Sequence, residues 1–281
     1  MSTFVQRKGI RSGMKKIQKN RLSIAILLFG LLLTFLVKGV GSIVGSMNKD
    51  IPLADIQHEA PIEKTYYDNF GISVPNNYSI HGIDVSKHQS DINWEQVEEM
   101  RVKGVRLSFV FIKASEGASQ TDINFQRNWN ALDNTRLLRG AYHFFRPVKD
   151  PRVQAELFIS QVRLKKGDLP PVVDIEHENR QSTQVIRQRL QTFLTILEKE
   201  YHCKPIIYSN LSFYTRHLAG KFGKYPVWIA YYLDDPFMLP DNRKWSFWQY
   251  SESGNVNGIR GKVDFNVFHG NLGQLRALCK K

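Results

Sequence analysis

The chain has 281 residues, of which 42% are apolar and 12% aromatic, and its formal net charge is +13. This length and apolar content suit one large α/β domain with an extension. Residues 1–49 carry nine Lys and Arg and no Asp or Glu, so the positive charge is concentrated in an N-terminal tail. The remainder is only mildly basic, and the composition therefore does not indicate nucleic-acid binding.

The N-terminal tail leads into an apolar run. Residues 22–37 are apolar except for Ser23, Gly30 and Thr34, and the run extended to residue 45 is about long enough to cross a bilayer. Seven Lys and Arg precede it, which predicts a cytoplasmic N-terminus. We therefore predict a basic cytoplasmic tail at 1–21 and a transmembrane signal anchor at 22–45, with the rest of the chain outside the cytoplasm. A cleaved signal peptide, which would leave the protein secreted, remains the alternative.

The pattern changes twice after this segment. Residues 46–78 mix polar residues with three prolines and show no clear periodicity, which is typical of a linker. From residue 79 onward, short apolar runs recur in the manner of buried strands. Strands are predicted at residues 80–85, 107–113, 140–145, 171–176, 205–209, 226–231, 246–250 and 263–267.

Helical patterns lie between several of these strands. Asp150 followed by Pro151 is a typical helix start. Eight strands alternating with helices predict a (β/α)8-type barrel over residues 79–281, preceded by the transmembrane helix. Because the later connections are short, the barrel is expected to be irregular. An open doubly wound sheet is less favoured, since no Gly-rich phosphate loop follows the first strand. Other helices are predicted at residues 93–101, 125–138 and 182–201.

The fourth predicted strand carries two carboxylates, Asp174 and Glu176. Alternate residues of a strand face the same side, so both side chains point in one direction. Burying two carboxylates on an apolar strand costs free energy, and a pair of carboxyl groups is the usual catalytic apparatus for cleaving a glycosidic bond. A structural ion pair with nearby Lys or Arg is the alternative interpretation.

Two further acids occupy comparable positions. Asp84 ends or nearly ends the first strand, and Asp264 lies in the last. Catalytic residues of such barrels sit at the C-terminal ends of strands, and the first and last strands of a closed barrel are neighbours. We therefore expect Asp84 and Asp264 side by side, facing Asp174 and Glu176 across the mouth. Four converging carboxyls would raise one another's pKa values, which favours a protonated Glu that serves as general acid.

Aromatic residues at or near the strand ends suggest a saccharide groove around these acids, although each residue alone could be core. Glu116, which follows Lys113 at the end of the second strand, could belong to the groove or form an ion pair behind it. The predicted groove aromatics are Tyr142, Tyr208, Trp228, Tyr232, Trp248 and Tyr250.

Several short segments resemble the glycoside hydrolase family 25 lysozymes, the N-acetylmuramidases. Their order and spacing span about residues 80–275. They are Gly82-Ile83-Asp84-Val85-Ser86, Phe111-Ile112-Lys113-Ala114-Ser115-Glu116-Gly117, Arg139-Gly140-Ala141-Tyr142-His143-Phe144, Val173-Asp174-Ile175-Glu176, Trp248-Gln249-Tyr250-Ser251 and Val263-Asp264 with Asn266.

The resemblance implies a muramidase barrel that cleaves the β-1,4 bond between N-acetylmuramic acid and N-acetylglucosamine in peptidoglycan. It implies Glu176 as catalytic acid, Asp174 as its partner, and Asp84 and Asp264 as supporting carboxylates. Gln249 joins the aromatics as a substrate-binding residue. Two alternatives remain at this point: a non-catalytic, membrane-tethered peptidoglycan-binding protein and a chitinase-like glycosidase.

No metal or cofactor is predicted. Histidines 81, 88, 143 and 177 fall near strand ends, but with the acids they lack a recognised zinc-site spacing. Cys203 and Cys279 are the only cysteines, and the sequence leaves open whether they form a disulfide or remain free thiols.

Overall fold

The computed structural model describes residues 62–281. The predicted tail at 1–21, the predicted anchor at 22–45 and the first part of the predicted linker lie outside the described residues. Within residues 62–281, no helix combines the length and the apolar character that a membrane span requires.

The centre of the domain is a closed barrel of eight strands, β3, β5 and β7–β12. The barrel closes because β3 pairs with both β5 and β12. Seven strands run parallel, whereas β12 is antiparallel to both of its neighbours. In chain order the strands are β1 (Lys64–Tyr67), β2 (Ile72–Pro75), β3 (Ile80–Val85), β4 (Arg101–Val102), β5 (Val105–Glu116), β6 (Gln120–Thr121), β7 (Leu138–Phe144), β8 (Val172–Asp174), β9 (Ile206–Asn210), β10 (Val227–Ala230), β11 (Phe247–Gly254) and β12 (Val263–Phe268).

The helices confirm the expected irregularity. Asp150 caps α3 through a hydrogen bond from Arg152 N, and Pro151 is its first residue, as predicted. No helix lies between β10 and β11 or between β11 and β12, where the connections are short. The helices are α1 (Trp94–Glu99), α2 (Phe125–Ala131), α3 (Pro151–Gln161), α4 (Thr183–Tyr201), α5 (Leu211–Phe213) and α6 (Leu272–Leu278), and a single π turn (Tyr214–Leu218) follows α5.

Side-chain alternation along the strands produces two apolar cores. One face of each strand packs toward the helices, and the other fills the barrel lumen, largely with aromatic rings. Two glycines make this lumen possible. A Cβ atom on Gly82 would lie 2.4 Å from the Phe109 ring, and one on Gly140 would lie 2.4 Å from the Phe111 ring. The lumen is therefore a packed core and not a channel through the barrel.

The predicted linker at 46–78 was wrong for its second half. Strands β1 and β2 form an antiparallel hairpin that packs on the barrel. Phe70 at its turn is fully buried, and its ring centroid lies 5.2 Å from that of Phe265. Asn255 N donates a hydrogen bond to Phe70 O. Four-residue strands are too short to show periodicity in the sequence, so this hairpin was missed.

Both cysteines are free thiols in the structure. Cys279 is buried under the barrel, and Cys203 is half-buried. Burial raises the pKa of both thiols, that of Cys279 to about 11.

Candidate active site

A cleft of about 320 Å³ opens where the seven parallel strands end. The four predicted carboxyls of Asp84, Asp174, Glu176 and Asp264 all line it. The prediction that these residues converge is therefore confirmed.

Asp84 and Asp264 are direct partners on adjacent strands, as expected. Asp264 lies within the last strand, as predicted, but it is the second residue of antiparallel β12 and not at a C-terminal strand end. A strand that runs in the reverse direction brings its N-terminal end to the mouth, where the parallel strands finish. The position of Asp264 was thus predicted correctly from a rule that does not apply to its strand.

Asp174 and Glu176 face the cleft from the end of β8. The backbone stays paired beyond Asp174, because Ile175 N donates to Tyr208 O at 3.0 Å. The two residues therefore keep the i, i+2 alternation and point the same way. Neither carboxyl forms an ion pair with a Lys or Arg of the described residues, which argues against the structural ion-pair interpretation.

The surroundings of Asp174 and Glu176 raise the pKa values of both carboxyls. Burial, followed by repulsion from Glu176, raises the pKa of Asp174 well above its usual value. Burial also raises the pKa of Glu176, although the nearby His177 and hydrogen bonds from Asn210 and Asp174 oppose this rise. The pair consequently holds a proton at a higher pH than isolated carboxyls would.

The second pair behaves in the same way. Burial and the charge of Asp264 raise the pKa of Asp84 well above its usual value. Burial raises the pKa of Asp264 to about 6, while a hydrogen bond with Asp84 acts in the opposite direction. The site therefore consists of two hydrogen-bonded carboxyl pairs, each of which holds a proton to a higher pH than isolated carboxyls would.

Gln249 is the centre of a hydrogen-bond network under Asp84. Its Nε2 donates to Asp84 Oδ2 at 2.8 Å, and its Oε1 accepts from Tyr208 OH at 2.9 Å and from Tyr232 OH at 2.6 Å. Asn266 Nδ2 donates to the same Asp84 oxygen at 2.8 Å. Gln249 was predicted to bind substrate, but its side-chain polar atoms are engaged in orienting Asp84.

The predicted groove aromatics occupy different positions relative to the cleft. Tyr232 is 45% exposed at the rim and offers an open ring face. Tyr208 and Trp228 form a buried floor, and Trp228 Nε1 donates to Asn266 Oδ1 at 2.8 Å. Tyr142 also lines the cleft. Trp248 and Tyr250 do not reach it, and Tyr250 is buried in the core outside the barrel wall.

Trp248 faces outward because it alternates with the inward-facing Gln249 on β11. Its side chain is fully buried among the aromatic residues outside the barrel wall, and its Nε1 donates to Tyr231 O at 2.7 Å. The prediction that it contacts substrate is corrected: it is a core residue.

Glu116 also lies outside the cleft lining. It accepts hydrogen bonds from Lys113 Nζ at 2.6 Å and Arg146 Nη2 at 2.5 Å. Burial would raise the pKa of Glu116, but these two cations outweigh it and hold the pKa below its usual value. Both cations also lie over the Phe144 ring, so Glu116 supports the cleft wall from behind.

Sequence reasoning did not count several lining residues as site residues. Lys113, like Ser86, lay inside a quoted motif, and strand alternation could have marked it as inward-facing because Phe109 and Phe111 point into the lumen. Asn266 could have been found in the same way, two residues after Asp264. Nothing in the sequence singled out the loop residue Glu252. The missed lining residues are Ser86, His88, Lys113, Phe144 and Glu252.

The four histidines do not converge. His81 and His143 point outward from the barrel wall, and burial lowers the pKa of each to about 4. Among the described residues, no group of three or more His, Cys, Asp or Glu is arranged to hold a metal ion.

Comparison with known proteins places this geometry in a family. The sequence profile of the glycosyl hydrolases family 25 matches residues 83–259. The chain belongs to glycosyl hydrolase family 25. It is therefore a glycoside hydrolase, and its paired carboxyls are the groups expected for that chemistry.

Two curated relatives illustrate the range of this family. The chain is 46% identical over 211 residues to the uncharacterized protein YegX of Escherichia coli strain K12, covering 74% of this chain and 76% of YegX. It is 34% identical over 214 residues to lysozyme M1 of Streptomyces globisporus, covering 71% of each chain.

Solved structures agree with the fold. A family 25 glycosyl hydrolase from Bacillus anthracis superposes with a TM-score of 0.67 at 32% identity, covering 80% of this chain and 98% of that one. A bacterial lysozyme from Streptomyces coelicolor superposes with a TM-score of 0.66 at 33% identity, covering 73% of this chain and 99% of that one.

Proposed function

We propose that this protein is a peptidoglycan hydrolase that cleaves the β-1,4 bond between N-acetylmuramic acid and N-acetylglucosamine. The observation that carries the proposal is that two hydrogen-bonded carboxyl pairs, Asp84–Asp264 and Asp174–Glu176, face one cleft on a family 25 barrel. Relatives named as a lysozyme and as muramidases support the choice of substrate.

In this proposal Glu176 is the general acid. It is the less buried member of its pair, and it hydrogen-bonds Asp174 and Asn210. The proton shared between Asp174 and Glu176 passes to the glycosidic oxygen through Glu176 as the bond breaks. The positive charge that develops on the sugar ring is stabilised by the Asp84–Asp264 pair once that pair has lost a proton.

Two routes could complete the reaction. A carboxylate could attack the anomeric carbon and form a covalent intermediate, or the 2-acetamido group of the substrate could attack while Asp174 orients its N–H. We favour the assisted route, because an acid pair spaced i, i+2 on a strand can serve the acetamido group and the leaving oxygen together. Trapping a fluorosugar adduct on an Asp would contradict it.

We further propose that residues 22–45 anchor the protein in a membrane, with the barrel outside the cytoplasm where peptidoglycan lies. The apolar run and the seven preceding cations support this orientation. Protease protection of the barrel in intact cells, lost when the outer permeability barrier is opened, would test it.

Product analysis tests the activity most specifically. Purified peptidoglycan and chitin are each digested, and the products are identified by mass. The proposal predicts muropeptides with N-acetylmuramic acid at the new reducing end and little cleavage of chitin. Preferred cleavage of chitin would indicate the chitinase-like alternative, and wall binding without products would indicate a non-catalytic binding protein.

A further inference from the structure

The end of the barrel opposite the cleft is strongly basic. We define this basic face as the segments that enter the parallel strands and the segment after β12, namely residues 100–106, 132–137, 162–171, 199–205, 219–226, 240–246 and 268–281. They contain sixteen Lys and Arg and four Asp and Glu, a net charge of +12. Residues 62–281 as a whole carry +7, so everything outside the basic face carries −5. The charge is thus polarised along the barrel axis.

Two shallow pockets show that these cations are grouped in space. One of about 200 Å³ is lined by four arginines, Arg101, Arg106, Arg136 and Arg276. The other, of about 600 Å³, is lined by Lys204, Lys224, Arg243, Lys280 and Lys281. Helix α6 contributes residues to both pockets, so the two pockets are neighbours on the basic face.

Few of these charges are neutralised locally. Within residues 62–281, Arg136 pairs with Glu98, Lys165 with Asp133, and Lys224 with Glu198. Fourteen of the sixteen cations are exposed to solvent. A surface with this excess of exposed charge suits an extended anionic partner rather than a single small ion.

The chain enters the described domain toward the same end of the barrel. Asn76 lies four residues before β3 begins, and its N donates to Glu63 O at 2.8 Å. Tyr78 packs against Trp245 and His269, both in the basic face. The predicted anchor ends at residue 45, and the 16 residues between it and the described domain span at most about 60 Å, so the domain stays within reach of a bilayer.

We propose that the basic face docks on an anionic phospholipid surface and points the cleft away from the membrane, toward the wall. This inference goes beyond the hydrolase activity and does not depend on it. A lipid surface is favoured over a soluble anionic polymer, because the predicted anchor would hold the domain within reach of a bilayer and docking through the basic face would leave the cleft open. Each Lys or Arg close to such a surface strengthens binding about fivefold.

The barrel can be tested without the N-terminal segment, because solved relatives consist almost entirely of this domain. Residues 62–281 are mixed with vesicles containing phosphatidylglycerol or with vesicles of phosphatidylcholine alone, and bound protein is measured by sedimentation. We expect binding to the anionic vesicles only, weakened by added salt. The double variant R106Q/R276Q should reduce the partition coefficient roughly tenfold or more.

The matched control is K149Q/R152Q, which removes two exposed cations from the cleft end. It should change vesicle binding by less than about threefold. Equal losses in the two variants, or no binding to anionic vesicles at low salt, would overturn the proposal. Binding to soluble polyphosphate without binding to vesicles would also overturn it. Wall lysis by R106Q/R276Q should equal that of the wild type, so failure here is distinct from failure of the hydrolase proposal.

Discussion

Asp84 and Asp264 are cross-strand partners at the seam where the barrel closes, and their carboxyls share a hydrogen bond. Two buried carboxyls in such contact do not both ionise easily, because their charges repel in a region that excludes water. Burying this pair at the seam therefore costs electrostatic free energy on folding. A catalytic role would explain why both acids are present.

The variant Asp264→Asn should make the fold more stable at neutral pH. Folding raises the pKa of Asp264 to about 6, so the native state binds more protons than the unfolded state between about pH 4 and 6. Stability of the wild type therefore falls as pH rises through this window. The free-energy advantage of the variant should grow by up to about 3 kcal/mol from pH 4 to 6 and then level off.

Denaturant unfolding at several pH values measures this advantage. Asp235→Asn, which changes an exposed acid, is the control and should show no such pH-dependent gain. An advantage for Asp264→Asn that is the same at pH 4 and pH 7 would contradict the assigned pKa.

The pH dependence of lysis should be bell-shaped. The rate should rise with pH through about 6 as Asp264 ionises, and fall at higher pH as the Asp174–Glu176 pair loses its proton. Initial rates on purified walls across the pH range test this. Asp264→Asn should lower the rate and lose the rising limb near pH 6, whereas an unchanged limb would assign it to another group.

Gln249→Leu should lower kcat by about a hundredfold with little change in KM. The substitution removes a hydrogen bond that favours the ionised form of Asp84, so the pKa of Asp84 should rise. Because Asp84 and Asp264 titrate as one pair, the rising limb of the pH profile should move to higher pH. Purified glycan strands and a pH series provide the measurement.

The neighbouring variant Trp248→Phe is the comparison for Gln249→Leu. It should keep the wild-type pH profile and KM and lose only stability, because Trp248 packs outside the barrel wall. A raised KM in Trp248→Phe would restore Trp248 to the substrate groove.

This contrast shows where sequence reasoning succeeded and failed. All eight barrel strands, the cap at Asp150 and the convergence of four acids were predictable, because they depend on local periodicity and on the closure of the barrel. Trp248 was assigned to the groove because it is an aromatic residue near a strand end, without asking which face of the strand its side chain occupies. Had the alternation with Gln249 been applied, the tryptophan would have been assigned to the outer core.

Other features were beyond sequence reasoning. The reversed direction of β12 depends on which end of the barrel the chain returns to, and a five- to six-residue apolar run does not encode direction. The network from Tyr232 through Gln249 to Asp84 joins residues up to 165 positions apart. Such contacts arise only once the barrel has closed.

Tyr232 at the rim should contribute to binding through its ring. Tyr232→Ala should raise KM about tenfold, because it removes an exposed aromatic face beside the cleft. Tyr232→Phe keeps the ring and loses only the hydrogen bond to Gln249, so its KM should stay within about threefold of the wild type. Similar KM values in the two variants would contradict a stacking role.

The most direct test of the account is wall lysis by Glu176→Gln beside Glu116→Gln. Turbidity loss of purified peptidoglycan is followed for the wild type and both variants, with circular dichroism to confirm that each is folded. We predict that Glu176→Gln abolishes lysis, and that Glu116→Gln, which changes an acid held behind Phe144 by Lys113 and Arg146, retains most of it. Lysis by Glu176→Gln and its loss in Glu116→Gln would contradict the assignment of Glu176 as the general acid.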